Sequence, residues 1–432
     1  MFRKTKLTAG LAVTVAAAVV AAGAALAATS GKSGGVTLTL WHNYGTQGNA
    51  VATGNLVKAF EKQNPNITIK VVSQPSANYF QLLSAAWIAG TAPDLSVEWT
   101  GLFDTKYQSQ LLNLKSYFTT AELSKINGVK WVSANFDPTQ GLLVMPLENQ
   151  FYMGFYNKAL FKRAGVASAP RDWAELTAAC TKLKKIGVTP IVYGADPQGI
   201  GPSPYPFYDL SYLMAAIYSP EQWKGLYTGK IPWTSPAIVS QVQHWASLPK
   251  SGCTNSDVLT KTNILGTFMS GKAAMIIDGN WDTAALQKAL GTKVAPMVPP
   301  FSTKPQRGVV QYAGDGFAVS KASKHQKEAA SFLRFLMSPQ AEKIIVGAGL
   351  IPDIKGYTSS NPLSNQMLAF AAKQGLTAYP MIDNVIQGDV VTAGQKQLDA
   401  ALGGDISALK ALKSMKSTLD SLPANQRSNT YH

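Results

Sequence analysis

Between residues 36 and 99 the sequence alternates between two hydrophobic periods, and that alternation restricts the fold more than any other feature. VTLTLWH sets Val36, Leu38 and Leu40 on one face at period two, the mark of a half-buried strand. Residues 49–63 carry Val51, Leu56, Val57 and Phe60 at helical spacing and stop at Asn64-Pro65-Asn66. ITIKVV (67–72) reads as a strand, YFQLLSAAWIAG (79–90) as a helix ending at Gly90, and LSVEW, after Pro93-Asp94, as a third strand. Strand and helix in strict turn predict an α/β fold with a parallel sheet covered on both faces. Beyond it, 102–138 is helical with polar breaks. Strands are expected at 141–147 and 151–156, with Asn149-Gln150 between them. Helices follow at 158–165, 172–186, 206–218 and 236–248, with short strands at 188–194 and 273–277. FAVS near 317 gives another strand, and helices at 325–338 and 339–349 and a helical C-terminus complete the pattern.

Residues 1–27 read as an export signal: Arg3, Lys4 and Lys6 precede an apolar run, and Ala25-Leu26-Ala27 suits cleavage. A retained membrane anchor is the rival, disfavoured because the run is rich in Ala and Gly. Residues 28–35 form a flexible leader. The formal charge is +15, or +12 without the three signal cations. The lysines are scattered, clustering only at 183–185 and 409–417 on helix-like stretches, so nucleic-acid binding is not expected. Cys180 and Cys253 are an even pair in an exported chain, which favours a disulfide over two separate buried thiols. His42, His244, His325 and His432 lack metal-ligand spacing, and no metal or cofactor is expected.

Two catalytic motifs are matched only in spelling. Gly266, Gly271 and Lys272 have P-loop spacing, but Ala273 stands where a magnesium-binding hydroxyl is needed, and helix-like TNILGTFM precedes instead of a strand. Gly31-Lys32-Ser33-Gly34-Gly35 lacks the strand-to-helix turn of a nucleophile elbow. The stretch GTFMSGKAAMIIDGNW is better read as a helix, a Gly-Lys break, a strand, and a turn that carries Trp281.

The order of motifs resembles the extracellular solute-binding proteins of bacterial carbohydrate ABC importers, the maltose-type group. The resemblance is carried by Trp41-His42 ending the first strand, FEKQNPNI, AGTAPDL at 89–95, and LLVMPLENQFYMGFYNKALFKRAGV. It continues through APRDWAEL at 169–176, FMSGKAAMIIDGNW, MVPPF, YAGDGFAVSKASKHQKEAASFLRFLMSPQAE and the turn Gly349-Leu350-Ile351-Pro352. It implies the two-lobe periplasmic-binding-protein-like fold (type II), with hinge-connected lobes and the ligand in the cleft between them. The N-terminal lobe would hold 36–148 with 317–376, and the C-terminal lobe 150–313 with 378–432. The crossings would fall at Glu148-Asn149-Gln150, near Gly314-Asp315-Gly316 and near Ala378-Tyr379-Pro380.

A sugar offers a C–H face to an aromatic ring and a rim of hydroxyls to directional donors and acceptors. Candidate ligand-binding residues are therefore His42, Asn43 and Tyr44 after strand one, with Trp41 ranked below Tyr44, and Glu98 and Trp99 after strand three. Gln150 and Asp315 lie at crossings, and Asp278 and Trp281 at a second-lobe strand end, where open α/β sheets bind ligands. Tyr205 and Tyr208 resemble the family's stacking cluster, and Tyr379 with Asn384 would close the far end. Asp94 is assigned a turn or hydrogen-bond role, and Trp173 with Asp172 a helix start. No cysteine follows Leu26-Ala27-Ala28, so the lipid-modified site usual in Gram-positive members is missing. The candidates lack Arg and are rich in aromatics, which favours a neutral saccharide.

The resemblance implies a non-enzymatic, monomeric receptor, in the periplasm or on the outer face of the membrane, that delivers a mono- or oligosaccharide to permease subunits. The alternatives are a same-fold receptor for glycerol phosphate or a polyamine, and a secreted glycosidase using Glu98 and Asp315.

Overall fold

Leu38 and Leu40 are fully buried on one face of the first strand, as their period-two spacing requires. The computed structural model describes residues 35–45, 48–75, 78–133, 136–194 and 205–427. The proposed signal at 1–27 and the leader up to residue 34 lie outside the described residues. The described strands are β1 (Val36–His42), β2 (Ile67–Ser73), β3 (Leu95–Glu98), β4 (Val144–Pro146), β5 (Asn149–Asn157), β6 (Thr189–Val192), β7 (Ala273–Gly279), β8 (Val294–Met297), β9 (Gly308–Ala313), β10 (Gly316–Val319) and β11 (Thr377–Tyr379).

They form two sheets. The first has the order β2-β1-β3-β10-β4, and the second β11-β9-β5-β7-β6 with β8 beside β5. β1 pairs in parallel with β2 and β3, as the alternation predicts. β10 instead runs antiparallel to β3 and β4, because the chain returns to this sheet from the second one. β5 is the spine of the second sheet. It is buried along its length except at Tyr156 and pairs antiparallel with β7, β8 and β9. A strand buried on both faces reads as a continuous apolar run, so its start is hard to see in sequence. Asn149 and Gln150 accordingly lie inside β5, not between two strands. β8, β9 and β11 are short, and no sequence expectation covered them.

Helix Gly48–Gln63 buries Ala52, Leu56, Val57 and Phe60. The Phe60 ring meets Phe332 and Phe335 of helix Gln326–Leu336 at 5.3 and 5.8 Å. Burying such a ring contributes about 2–3 kcal/mol. Val51, expected on the buried stripe, is exposed. Helix Ile264–Met269 stops at Gly271, whose φ is +73°, and β7 begins two residues later. The Gly-Lys pair is thus a helix stop. Cys180, on helix Trp173–Lys185, is bonded to Cys253, 73 residues on, with Cα atoms 5.1 Å apart, which settles the choice between bridge and free thiols.

Three segments cross side by side between the sheets. The Leu147 amide donates to the Asp315 carbonyl (2.9 Å), Gly314 to Glu148 (2.9 Å) and Asn149 to Ile351 (2.8 Å). The first two of these contacts involve Glu148-Asn149 and Gly314-Asp315. The third lies near Leu350–Pro352, not at Ala378-Tyr379-Pro380, where β11 pairs in parallel with β9 at the edge of the second sheet. Helix Pro362–Gln374 packs on β8 and on helix Thr283–Leu290, burying Leu363 and Met367 in the second core, and Ser364 shares a hydroxyl hydrogen bond with Thr283 (2.8 Å). The halves also touch beside the second crossing, where Thr100 Oγ1 donates to the Ala313 carbonyl (2.5 Å). The segment Gly101–Tyr107 packs against helices Ile382–Val385 and Gly388–Gly403, and the Asn384 amide donates to the Thr100 carbonyl (2.9 Å).

Candidate functional site

An aromatic wall stands on the second sheet beside the crossings. Its floor is Tyr152 of β5, fully buried, whose hydroxyl donates to Asp209 Oδ1 (2.8 Å). Asp209 also accepts from the Tyr193 hydroxyl and from Trp245 Nε1 (3.0 Å). Burial nevertheless pushes its carboxyl up to about 7. Over Tyr152 sit Tyr205 (6.4 Å, 23° between planes), Tyr208 (5.6 Å, 71°) and Trp281 (6.4 Å, 15°). All three are only half-buried, so ring surface is left over. Tyr205 and Tyr208 share one helix face by their spacing of three. Trp281 is delivered by the turn after β7, and its ring fills the space a side chain on Gly279 would need. Asp278 Oδ1, at the end of β7, accepts from the Tyr205 hydroxyl (3.2 Å) and the Gly279 amide (2.7 Å). Burial and the neighbouring Asp282 hold its carboxyl well above the usual range. Tyr205, Tyr208, Asp278 and Trp281, scattered over 77 positions in sequence, are thus brought together.

A second cluster lies at the crossings. Glu148 Oε1 accepts from Asn49 Nδ2 (2.6 Å) and Gln150 Nε2 (2.9 Å), and burial pushes this carboxyl up to about 7. Asp315 is held well above the carboxylate range by burial, then by Glu148 and Asp383. Burial takes Asp383 up to about 7 as well. The charges of Asp383 and Asp315 in turn raise the Tyr208 and Tyr312 hydroxyls further, beyond the effect of burial. Of the three rings over Tyr152, Tyr208 is the one whose hydroxyl feels these carboxyls.

The remaining candidates are placed less openly. His42 and Tyr44 are buried and stacked 5.6 Å apart, and the Tyr44 amide donates to His42 Nδ1 (3.2 Å). Trp41 is half-exposed, as is Asn43, so the ranking of Tyr44 above Trp41 is reversed in exposure. Gln150 reaches the site, but its amide nitrogen is held by Glu148. Glu98 is fully buried, accepts from Ser96 Oγ (3.3 Å) and is pushed by burial up to about 8. Trp99 lies just past β3 and packs on Phe103 (4.5 Å) and Phe80 (5.1 Å) while staying half-buried. Tyr379 is turned away from the cluster. Its hydroxyl donates to the Tyr218 carbonyl (3.0 Å) and its ring packs on buried Trp223. Asn384, five residues on, instead donates to the Thr100 carbonyl (2.9 Å) beside the crossing at Gly314.

Asp94 joins strands by accepting from the Thr39 amide (2.8 Å) and Ser323 Oγ (2.6 Å), and Asp172 caps the helix that Trp173 opens, both as read. Of the carboxylates weighed as a glycosidase pair, Glu98 stands opposite Gly316, the neighbour of Asp315, in the β3–β10 register, and its side chain is fully buried. Sequence reasoning missed Tyr152, Asp282, Tyr312 and Asp383. The signal for Asp383 was modest: a polar pair, Asp383-Asn384, closely following Pro380 between apolar residues.

Two α/β halves joined by adjacent crossings, with rings, amides and carboxyls gathered beside them, have the periplasmic-binding-protein-like fold. The chain belongs to the bacterial extracellular solute-binding protein family, whose sequence model it matches over residues 44–343. A binding protein of Brucella abortus is 26% identical over 306 residues, covering 68% of this chain and 71% of the relative. The multiple sugar-binding protein of Streptococcus mutans is 23% identical over 308 residues, 66% of this chain and 68% of the relative. A solved chitin oligosaccharide binding protein superposes with a TM-score of 0.76 at 23% identity, covering 89% of this chain and 98% of that one, which establishes the fold. These relatives are binding proteins, not enzymes. Among the described residues no helix is long and apolar enough to cross a membrane.

Proposed function

We propose that the protein is an exported receptor, in the periplasm or on the outer face of the membrane, that captures a mono- or oligosaccharide between its halves. It then presents the sugar, chemically unchanged, to the permease subunits of an ABC importer. The observation that carries this reading is the set of half-buried rings, Tyr205, Tyr208 and Trp281, gathered on Tyr152, with Asp315 and Asp383 acting on the Tyr208 hydroxyl. Rings take the C–H face of a sugar, and the carboxyls take its hydroxyls. We assign ligand contact to Tyr205, Tyr208, Trp281, Asp278 and Asp315, with Trp41, Asn43 and Trp99 supplied by the opposite half. His42, Tyr44, Glu98 and Gln150 support these from beneath. One lobe would comprise 36–147 with 316–349, and the other 150–313 with 362–427. The crossings act as the hinge. A sugar that touches both lobes only when they approach shifts the population toward closure. The sugar-binding relatives favour a saccharide over glycerol phosphate, which would call for Arg in the gap.

Titration of the purified protein with a saccharide panel, followed by tryptophan fluorescence and thermal shift, tests this directly. A saturable response with the sugar recovered intact is expected. Release of shorter sugars would mean a glycosidase, and a response to glycerol phosphate alone would mean a different cargo.

A further inference from the structure

A cavity of about 670 Å³ opens in the half built on the second sheet. Its walls include Tyr156 of β5, Met297 of β8, Phe370 of helix Pro362–Gln374, Leu376, and two arginines, Arg171 and Arg307. Asn149 opens β5 at the crossings, and Tyr156 lies seven residues on, about 23 Å along a strand. Arg307 precedes β9 at the end away from Gly314. Neither Tyr152 nor the rings gathered on it line this cavity, so it is distinct from the site described above. Pockets that hold small molecules run to about 300–1,000 Å³ and combine apolar walls with a few fixed polar groups.

The two arginines come together because their loops are tied. The Gln306 amide donates to the Arg171 carbonyl (3.0 Å), which brings the next residue, Arg307, to the same wall. The Arg307 backbone is held on both sides: its amide donates to Gln306 Oε1 (3.0 Å), and its carbonyl accepts from the Thr377 amide (2.8 Å). Arg171 is already paired with Glu175 (2.5 Å), whereas Arg307 has no ion pair among the described residues. No Asp or Glu is found among the described residues that line the cavity. Tyr156, Phe370 and Leu376 are only half-buried, so apolar surface there stays in contact with water. A guanidinium grips a planar carboxylate through two parallel hydrogen bonds, and an apolar body beside it removes the wall from water. One unspent guanidinium matches one negative charge, which favours a carboxylate over a dianionic phosphate. We propose that this cavity is a second ligand site, independent of the saccharide reading, for a small amphipathic carboxylate. Its head sits on Arg307 and its apolar body lies against Tyr156, Phe370 and Leu376.

The experiment titrates octanoate, octanol, octylamine and acetate into the full chain by calorimetry at low salt. Octanoate is expected to bind at least about tenfold more tightly than octanol, octylamine or acetate. Arg307→Gln should bring octanoate to within about threefold of octanol, and Phe370→Ala should weaken both by a similar factor. Arg307 is exposed and Phe370 half-buried, so both variants are expected to fold, which urea unfolding checks. The wild-type series with Arg307→Gln decides the matter whether or not Phe370→Ala folds. Octanoate that binds no more tightly than octanol overturns the proposal. A preference for octanoate that survives Arg307→Gln puts the anion elsewhere and overturns it equally. Neither result bears on the saccharide reading, which depends on Tyr205, Tyr208 and Trp281.

Discussion

Tyr208 and Trp281 are large rings that pack on Tyr152 yet keep free surface, a combination expected where a ring serves a ligand. Replacing either with Ala should weaken saccharide binding about 10–100-fold, read by calorimetry, with little loss of melting temperature. A fall in stability that matches the fall in affinity would instead mark the ring as packing. Asp209 is the opposite case. It accepts from Tyr193, Tyr152 and Trp245 in full burial, so Asp209→Ala strands three donors and should cost about 3 kcal/mol in urea unfolding. The rings Tyr205, Tyr208 and Trp281 were legible in sequence because aromatic residues at a helix start or a strand end have few alternative uses. Glu148 and Asp383 were not legible as site residues, since only the folded chain sets them beside Asp315. Tyr379 was misread for the same reason: nothing local tells that its hydroxyl meets Tyr218.

At the scale of elements, the bridge between helix Trp173–Lys185 and the segment after Leu248–Ser251 closes a 73-residue loop around β6, whose Ile191 amide donates to the Cys253 carbonyl (2.9 Å). Replacing both cysteines with Ala should cost about 2–4 kcal/mol. Reductant should lower the melting temperature of the wild type but leave the double variant unmoved. β10 is the other element under tight constraint. A side chain on Gly316 would collide with the Met145 carbonyl of β4, so Gly316→Ala should destabilise the first sheet by about 1–3 kcal/mol in thermal unfolding. Periodicity located β1, β2, β3 and the helices between them because each buries one face. It missed β8, which Pro296 interrupts, β9, whose burial at all but Gln311 leaves no alternation, and the three-residue β11.

Across the whole molecule, burial holds Glu148, Asp209 and Asp383 up to about 7 and Glu98 up to about 8. The folded state keeps these protons more tightly than the unfolded chain, whose carboxyls titrate near 4. Their contribution to stability is complete below that value and is lost as the pH rises through 7–8. The melting temperature should therefore be higher at about pH 5 than at about pH 8. Calorimetry that finds stability rising across that window would contradict this account of the buried carboxyls. The sequence by itself determined the α/β plan and singled out the rings that gather on Tyr152, because period, turn residues and ring placement are local properties of a chain. The tertiary structure alone decided the third crossing, the allegiance of helix Pro362–Gln374 and the gathering of carboxyls around the crossings. Those depend on which buried faces meet, and electrostatic crowding exists only once distant segments share one low-dielectric gap.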